Sequence, residues 1–313
     1  MERLLIEGEF FSGSVVASQI GVSRAAVSKQ IARLRRHGYD IESVRGKGYR
    51  LVPRFDSLLP LEVLSRLRTR TLGRNPVLLE TVDSTQNYLR RLAGQGADEG
   101  TIVVALEQKS GKGRASRQWS SPPGGLWFSL LLRPSMPMHH VSLLTLLSGV
   151  AVARALMQQG VPAALKWPND VLVRGKKVCG ILLEASSDPE RVEYVLVGVG
   201  INVNFSASDL PDGISENAVS TLDLLGKKLD RADLLSTILM HMEEMYEKLP
   251  SSIGRILEEW RFLSCTLGMH VTVSSYGRTI EGNALDIAQD GSLLVETGEG
   301  LERVYSGDVA IKK

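Results

Sequence analysis

The charge of this chain of 313 residues is distributed unevenly along its length. Residues 1–54 contain ten Lys and Arg against five Asp and Glu, whereas the other 259 residues contain 27 against 30. A basic excess confined to one end is typical of a module that binds a polyanion. The composition, 43% hydrophobic and 23% charged, is that of a globular protein, and the length allows two or three domains.

The basic segment has the pattern of a helix-turn-helix followed by a hairpin. Ala17, Gly21 and Val27 supply the small, turn-forming and aliphatic residues that such a motif needs in this order. Residues 39–52 alternate like two strands around a basic turn. A small helical domain with a solvated charged face is the alternative. The side chains free to face DNA are Ser23, Arg24, Ala25, Ser28 and Lys29 on the second helix and Arg45 and Lys47 at the hairpin tip.

The rest of the chain divides into two further parts. Pro53 and Pro60 bracket a predicted linker that few contacts should cross. Residues 61–264 mix helices and strands in hairpin-like pairs, which predicts an α+β domain. From residue 265 short strands alternate with glycine turns, which predicts a small β-barrel. A short helix is expected at residues 4–6, longer helices at 85–93, 141–159, 231–248 and 252–262, and strands at 76–80, 101–107, 126–132, 164–167, 171–173, 177–184 and 193–202.

Cysteine content and hydropathy limit the possible metal sites and the cellular location of the protein. Cys179 and Cys265 alone cannot form a disulfide framework or a cysteine zinc site, and the five histidines show no paired spacing, so no metal site is expected. The longest apolar run, residues 141–153, is too short to span a bilayer, and no signal peptide opens the chain. These features predict a cytoplasmic protein without a membrane partner.

Residues 108–119 form a glycine-rich basic loop after a strand. Its glycines let backbone N–H groups approach an anion, and Lys112, Arg114 and Arg117 supply positive charge. Ser116 stands where a dinucleotide-binding fingerprint has its third glycine, and the spacing is not that of a P-loop. Taken alone, the segment is equally well explained as a solvated surface loop, in which Arg114 would be exposed.

Two later segments carry polar residues at strand ends. Lys166 ends an apolar strand, and a half-buried lysine usually needs an anionic partner, which a structural ion pair could also supply. The strand at 198–202 ends in Asn202, and asparagines at such positions are usually structural.

Five motifs in this order resemble those of the biotin–protein ligases. They are Asp83-Ser84-Thr85-Gln86; the loop from Gln108 to Trp119; Lys166-Trp167-Pro168-Asn169-Asp170; Lys177-Val178-Cys179-Gly180-Ile181-Leu182; and Gly198-Val199-Gly200-Ile201-Asn202. Residues 1–54 resemble the DNA-binding part of the bifunctional members, which also repress biotin genes. The resemblance implies a winged helix-turn-helix (1–54), a mixed-sheet catalytic domain (61–264) and an SH3-like C-terminal β-barrel (265–313).

The resemblance also implies roles for individual residues. Lys166 and Arg114 are assigned to catalysis. The biotin site comprises Ser84, Thr85, Gln86, Gln108, Lys112, Gly113, Arg114, Trp119, Lys166, Gly180, Ile181 and Leu182, and the ATP and adenylate site comprises Arg114, Arg117, Lys166 and Asn202. Residues 206–225 contain no aromatic side chain, so an adenine ring packed there would meet aliphatics such as Val219 or Leu222.

The implied chemistry suits a cation-rich site. Joining biotin to AMP brings two anions together, so positive charge matters more than an acid or base, and Mg²⁺ would neutralise the departing pyrophosphate. The adenylate would then acylate a lysine of a biotin carboxyl carrier protein, with Asp170 only a weak candidate base, and would promote a homodimer that binds operator DNA. Two alternatives are a transcription factor that only senses its ligand and a lipoate or octanoyl transferase.

Overall fold

The computed structural model describes Leu5 and residues 8–188, 191–275 and 277–312. The helix expected at residues 4–6 lies mostly outside these residues. The N-terminal unit contains α1 (Gly13–Gln19), α2 (Arg24–Arg36), β1 (Ile41–Val44) and β2 (Gly48–Leu51).

The predicted helix-turn-helix is confirmed. Ser23 caps α2 by accepting a hydrogen bond from the Ala26 N–H at 3.1 Å. Val27, Ile31 and Leu34 lie on one face of α2 and are buried, as their spacing predicts. The two strands form an antiparallel hairpin whose turn carries Arg45 and Lys47.

The predicted linker is wrong in one respect, because Pro60 begins a helix, α3 (Pro60–Arg66). Proline suits the first helical position, where its missing N–H has no partner to lose. Leu61 is buried in the core of the N-terminal unit, and its N–H donates to the Tyr39 hydroxyl at 3.3 Å. Glu62 is completely buried and accepts hydrogen bonds from the Arg54 N–H and the Arg66 guanidinium, both at 3.0 Å. Many contacts therefore cross this segment.

Asp56 ties the same segment to the central unit. Its carboxylate lies 2.6 Å from Arg231 Nε and 3.0 Å from Asn204 Nδ2. Arg231 also donates to the carbonyl of Gly125 at 3.0 Å. Asp56 holds a left-handed backbone conformation with φ +56°, which is uncommon for a residue with a side chain. The ion pair thus anchors the entry to α3 in the central unit.

The central unit is a mixed eight-stranded sheet flanked by helices on both faces. Its order is β3-β4-β6-β10-β9-β8-β7, with β5 paired to β4. The strands are β3 (Asn75–Val82), β4 (Thr101–Lys112), β5 (Gln118–Ser121), β6 (Leu126–Leu132), β7 (Ala164–Lys166), β8 (Asp170–Val173), β9 (Lys176–Ser187) and β10 (Val192–Ile201). The helices are α4 (Thr85–Gly94), α5 (Leu143–Gln158), α6 (Thr221–Leu225), α7 (Arg231–Tyr246) and α8 (Ile253–Leu263).

The sheet departs from the expected hairpin pairs at one point. β3 and β4 are parallel, and α4 makes the crossover between them. The other strand pairs of this sheet are antiparallel. The crossover places the first turn of α4 beside the carboxyl end of β3, where Ser84 and Thr85 follow Val82 after one residue.

Alternate residues of the central strands face two different layers. Ile102 and Val104 pack in the large core with α5, whereas Val103 packs with Leu89 of α4. By length and composition alone, the stretch from Met138 to Gln158 could cross a membrane, but 72% of its most apolar window is buried inside the protein. That helix forms the centre of the large core.

The C-terminal unit is a five-stranded antiparallel sheet in the order β14-β13-β12-β11-β15. Its strands are β11 (His270–Ser275), β12 (Arg278–Ile287), β13 (Leu293–Thr297), β14 (Gly300–Val304) and β15 (Asp308–Ile311). No ladder joins β14 to β15 among the described residues, so the closed barrel implied by the resemblance is present here as an open sheet. The sequence does not predict strands β5 and β15, each of four residues.

We expect Asp56→Ala to lower the free energy of unfolding by about 3 kcal/mol, because it leaves the largely buried Arg231 guanidinium without its carboxylate. Urea denaturation measures this change. Glu247→Ala is the matched control, since it removes the exposed Arg70–Glu247 pair and should cost less than about 1 kcal/mol. Equal effects of the two substitutions would show that the Asp56 pair stabilises nothing.

Candidate active site

One cavity of about 570 Å³ collects the residues that the sequence assigns to the ligand. It lies over the carboxyl end of β3, the first turn of α4, the middle of β9 and the carboxyl end of β10. All fourteen residues assigned to biotin, ATP and the adenylate line it: Ser84, Thr85, Gln86, Gln108, Lys112, Gly113, Arg114, Arg117, Trp119, Lys166, Gly180, Ile181, Leu182 and Asn202. Residues separated by more than a hundred positions therefore meet in one place.

A buried hydrogen-bond network forms one end of the cavity. The Thr85 N–H donates to Gln108 Oε1 at 2.8 Å, and the Thr85 hydroxyl lies 3.0 Å from the same oxygen. Gln86 Nε2 donates to the carbonyl of Leu196 at 3.1 Å. Ser129, which no motif includes, lies between Thr85 and Gln86 and within 2.8 Å of each. This end can hydrogen-bond a small polar head group.

Glycines shape the floor of the cavity. Gly180 on β9 and Gly200 on β10 are directly paired, and the indole of Trp119 lies against both. A Cβ atom at Gly180 would lie 2.8 Å from Trp119 Cζ3, and one at Gly200 would lie 2.5 Å from Trp119 Nε1. The indole N–H is buried, and none of the residues that the structure describes hydrogen-bonds to it. The flat aromatic wall and the bare floor together suit a compact ring.

Positively charged side chains gather beside the Trp119 indole, away from the Thr85–Gln86 end of the cavity. Lys177 Nζ lies 2.6 Å from Asp170 Oδ1 and 5.1 Å from the centre of the Trp119 ring. Lys166 is half-buried, as predicted, and no carboxylate lies within 4.0 Å of its amine among the described residues. The expected structural ion pair is thus made by Lys177 instead. Lys166 is left with its charge directed at the cavity.

The sequence assigns no role to Lys177 or to Ser129, although both line the cavity. Lys177 begins one of the five motifs. The pairing of β8 with β9 brings it beside Asp170 at the cavity. Because Asp170 is already held in this ion pair, its place is better suited to positioning Lys177 than to removing a proton.

Arg114 is not the exposed loop residue that the sequence predicts. It is half-buried and donates to Asn169 Oδ1 at 3.2 Å, to Ser306 Oγ at 2.9 Å and to the carbonyl of Gly307 at 3.1 Å. Arg117 is exposed and pairs with Asp308. Both arginines of the basic loop therefore contact the start of β15, and Asp308 itself lines the cavity. The C-terminal sheet completes this wall of the site.

The segment after β10 covers the remaining side. Asn202 is buried and its amide donates to the carbonyl of Val219 at 3.2 Å. Leu210 and Ile214 line the cavity, whereas Val219 packs against the large core and neither it nor Leu222 reaches the cavity. The loop thus offers aliphatic contacts, although from other residues than expected.

Asp223 holds this covering loop in place. Burial opposes its charge, but hydrogen bonds from the N–H groups of Ala207 and Ser220 and from the hydroxyls of Ser220 and Ser206 leave its pKa below the usual value. Asp223 also closes a capping box with Ser220 at the start of α6. The carboxylate therefore fastens two ends of the loop together at neutral pH.

The DNA-facing candidates lie apart from the cavity. Ser23, Arg24, Ala25, Ser28 and Lys29 are exposed on the first two turns of α2, and Arg45 and Lys47 are exposed at the hairpin tip. The N-terminal unit therefore exposes both α2 and the hairpin tip. A helix for the major groove and a basic tip for the flanking phosphates are what binding to DNA requires.

Within the described ranges, no group of three or more His, Cys, Asp or Glu residues could hold a metal ion. Cys179 lies beneath the cavity floor, where burial raises the pKa of its thiol and keeps it protonated. Among the described residues, these side chains form neither a cluster of metal ligands nor a thiolate nucleophile.

Comparison with known proteins defines the class. The family model described as "Biotin/lipoate A/B protein ligase family" matches residues 78–202, a helix-turn-helix ("HTH domain") model matches residues 1–50, and the "Biotin protein ligase C terminal domain" model matches residues 266–312. The biotin protein ligase of Aquifex aeolicus, solved in complex with biotin and ATP, has a TM-score of 0.65 and 33% identity, over 77% of this chain and 99% of that one.

Full-length relatives define the family more narrowly. The bifunctional ligase/repressor BirA of Bacillus subtilis is 39% identical over 97% of this chain and 94% of its own length. The protein of the same name from Escherichia coli is 29% identical over 99% of this chain and 95% of its own length. The chain belongs to the family of bifunctional biotin–protein ligases and repressors.

We expect Gly200→Ala to weaken biotin binding more than tenfold, because the added methyl group would occupy the position of the Trp119 indole and displace it into the cavity. Calorimetric titration with biotin measures the loss. Gly254→Ala on α8 is the control, since a methyl group there meets no atom within 4 Å. Unchanged biotin affinity in a folded Gly200→Ala protein would mean that biotin does not lie against this wall.

Proposed function

We propose that the chain joins biotin to AMP and transfers the biotin to a lysine of a biotin carboxyl carrier protein. The main support for this proposal is that all fourteen residues assigned to the ligand line a single cavity. The cavity is polar and buried at the Thr85–Gln86 end and cationic at the Lys166–Lys177 end. This polarity matches a molecule with a neutral ring at one end and a carboxylate at the other.

The cations would act on charge that develops as the carboxylate attacks the α-phosphate. Lys166 lacks a carboxylate partner among the described residues, so an anionic substrate would supply it. Lys177 is held by Asp170 over the Trp119 ring and would reach the same junction. Arg114 and Arg117 lie at the mouth, where they would hold the phosphate and close over the adenylate.

Asn202 and the loop residues Leu210 and Ile214 would enclose the adenosine part. Trp119 would cover the biotin rings beside Gly180, Ile181 and Leu182. Since the described residues offer no metal cluster, we propose that Mg²⁺ enters bound to ATP and supplies positive charge to the departing pyrophosphate.

We further propose three domains, residues 1–54, 61–264 and 265–313, with the last related to SH3-like barrels although its described strands leave it open. Contacts of Leu61 and Glu62 with the N-terminal unit support treating α3 as shared between the first two domains. Because ATP and a carboxyl carrier protein are cytoplasmic reactants, we propose the same location for the chain.

The second activity proposed is repression of biotin genes by a homodimer that forms when the adenylate is bound. One winged helix reads one half-site, so a palindromic operator needs two copies at a fixed spacing. The ligand can promote this only by binding the dimer better than the monomer. The part of the basic loop at 114–119 and the covering loop at 205–221 both border the cavity and would transmit such a difference.

The direct test of the ligase is a mass measurement on an acceptor domain. Incubation with biotin, ATP and Mg²⁺ should add one biotin to a biotin carboxyl carrier domain, and omission of ATP should abolish the shift. Lipoate in place of biotin should give no product. A shift with lipoate alone would identify a lipoate ligase, and no shift with either would leave only a sensor.

We expect Arg114→Gly to release the adenylate faster by at least tenfold and to biotinylate bystander lysines, because one phosphate-facing cation is lost. Adenylate dissociation by rapid mixing measures this. Ser306→Ala removes only a hydrogen-bond acceptor of Arg114 in the C-terminal sheet and is the control for its structural contacts. An Arg114→Gly protein that retains the adenylate as wild type does would refute the phosphate role.

Removal of residues 1–54 should abolish operator binding and retain adenylation, because none of the described residues of this segment lines the cavity. Fluorescence anisotropy with operator DNA and pyrophosphate release measure the two activities. The cut exposes Leu61, so the double substitution Arg24→Ala with Lys29→Ala in the full chain is the companion, expected to lose DNA binding with adenylation intact. Loss of adenylation in the folded double variant would contradict the separation of the two activities.

A further inference from the structure

Ser129 is a completely buried serine in the middle of the hydrophobic strand β6, under the floor of the cavity. Its neighbours along the strand are apolar, so a hydroxyl here must be satisfied by protein groups. It has two partners, Gln86 Oε1 at 2.8 Å and Thr85 Oγ1 at 2.8 Å. A serine has one proton and can donate to only one of them.

The direction of these hydrogen bonds is determined by the Leu196 carbonyl at the other end of the network. The carbonyl of Leu196 can only accept, so it fixes Gln86 with Nε2 toward it at 3.1 Å and Oε1 toward Ser129. That amide oxygen can also only accept, so Ser129 must donate its proton to Gln86. The Ser129 oxygen is then left to accept a proton from Thr85.

The Thr85 hydroxyl has two acceptors within reach, Ser129 Oγ at 2.8 Å and Gln108 Oε1 at 3.0 Å. Gln108 Oε1 already accepts the Thr85 N–H at 2.8 Å, and its amide is oriented by Ser121 at the other end. Ser129 has no other donor for its oxygen in this network. The proton of Thr85 therefore goes to the closer Ser129 oxygen or is shared with Gln108 Oε1, and in both cases Thr85 presents only lone pairs to the cavity.

We propose that Ser129 is a positioning residue that, together with Gln108, directs the Thr85 proton away from the cavity and makes Thr85 a hydrogen-bond acceptor, so that the cavity selects a head group with an N–H donor at this point. The proposal rests on the proposed function, in which the head group is the cyclic urea of biotin. A urea carries two N–H groups, whereas a ring oxygen in the same place would face the Thr85 lone pairs and be repelled.

The test compares biotin with its two cyclic carbamate analogues, in which oxygen replaces one or the other ureido N–H. With the full-length protein and ATP, wild type should use one of these carbamates at least tenfold less efficiently than biotin. In Ser129→Ala the Thr85 proton keeps only Gln108 Oε1 as a protein acceptor, at 3.0 Å and on an oxygen that already accepts the Thr85 N–H. It can then turn more easily toward a ring oxygen of the ligand, so this discrimination should fall to about threefold or less. The KM for biotin should rise about tenfold, with the KM for ATP and kcat within twofold of wild type.

Ser148→Ala is the matched control, because Ser148 is equally buried but donates to the Leu144 carbonyl within α5. It should leave the discrimination and both KM values unchanged. If Ser129→Ala does not fold, Ser129→Cys, which keeps the size and weakens the donor, should give an intermediate discrimination. Wild-type discrimination in either folded Ser129 variant overturns the proposal, whereas absence of biotin adenylation by wild type overturns the proposed function itself.

Discussion

Three positions of the central sheet without side chains determine where a ligand can lie. Gly180 and Gly200 are cross-strand partners under the Trp119 indole, and Gly198 leaves room for the Gln86 amide, since a Cβ there would lie 2.7 Å from Gln86 Oε1. A side chain at any of these positions would collide with Trp119 or Gln86 and displace it from its place in the wall of the cavity. The sheet thus buries apolar side chains against α5 on one face and keeps part of the other face bare.

The polar groups of the site depend on that bare floor in two ways. The first turn of α4 can approach the sheet closely enough for Thr85 and Gln86 to join a buried network. Trp119 can lie low enough to bring Lys177 over its ring. The cationic side then faces a low-dielectric wall, where charge acts more strongly than it would in water. Recognition of a neutral ring and activation of an acid group are therefore adjacent but separate.

Sequence reasoning succeeded where a strong local pattern coincided with one structural cause. The apolar strand 126–132 was predicted with its observed bounds, and the α2 face of Val27, Ile31 and Leu34 is buried as its period requires. The fourteen ligand residues came from the family resemblance. Their convergence could not be read from spacing, because it depends on the β3–α4–β4 crossover and on long-range strand pairing.

The failures share one physical origin, namely contacts between parts that are remote in sequence. The segment from Pro53 to Pro60 has the composition of a linker, but Asp56 forms an ion pair with Arg231, which lies more than 170 residues later in the sequence. Arg114 lies between two small residues, yet Ser306 and Gly307 bind it. Strand β15 is likewise defined by a remote partner, since it pairs with β11 more than thirty residues earlier in the chain.

Helix α3 gives the molecule a property that neither neighbouring unit has alone. Leu61 belongs to the core of the DNA-binding unit, while Arg66 on the same helix pairs with Asp230 at 3.0 Å at the start of α7. The two turns of α3 therefore form a rigid connection between the N-terminal and central units, not a flexible linker. Any movement of the central unit at Asp230 is therefore passed to the N-terminal unit through α3, without a flexible joint between them.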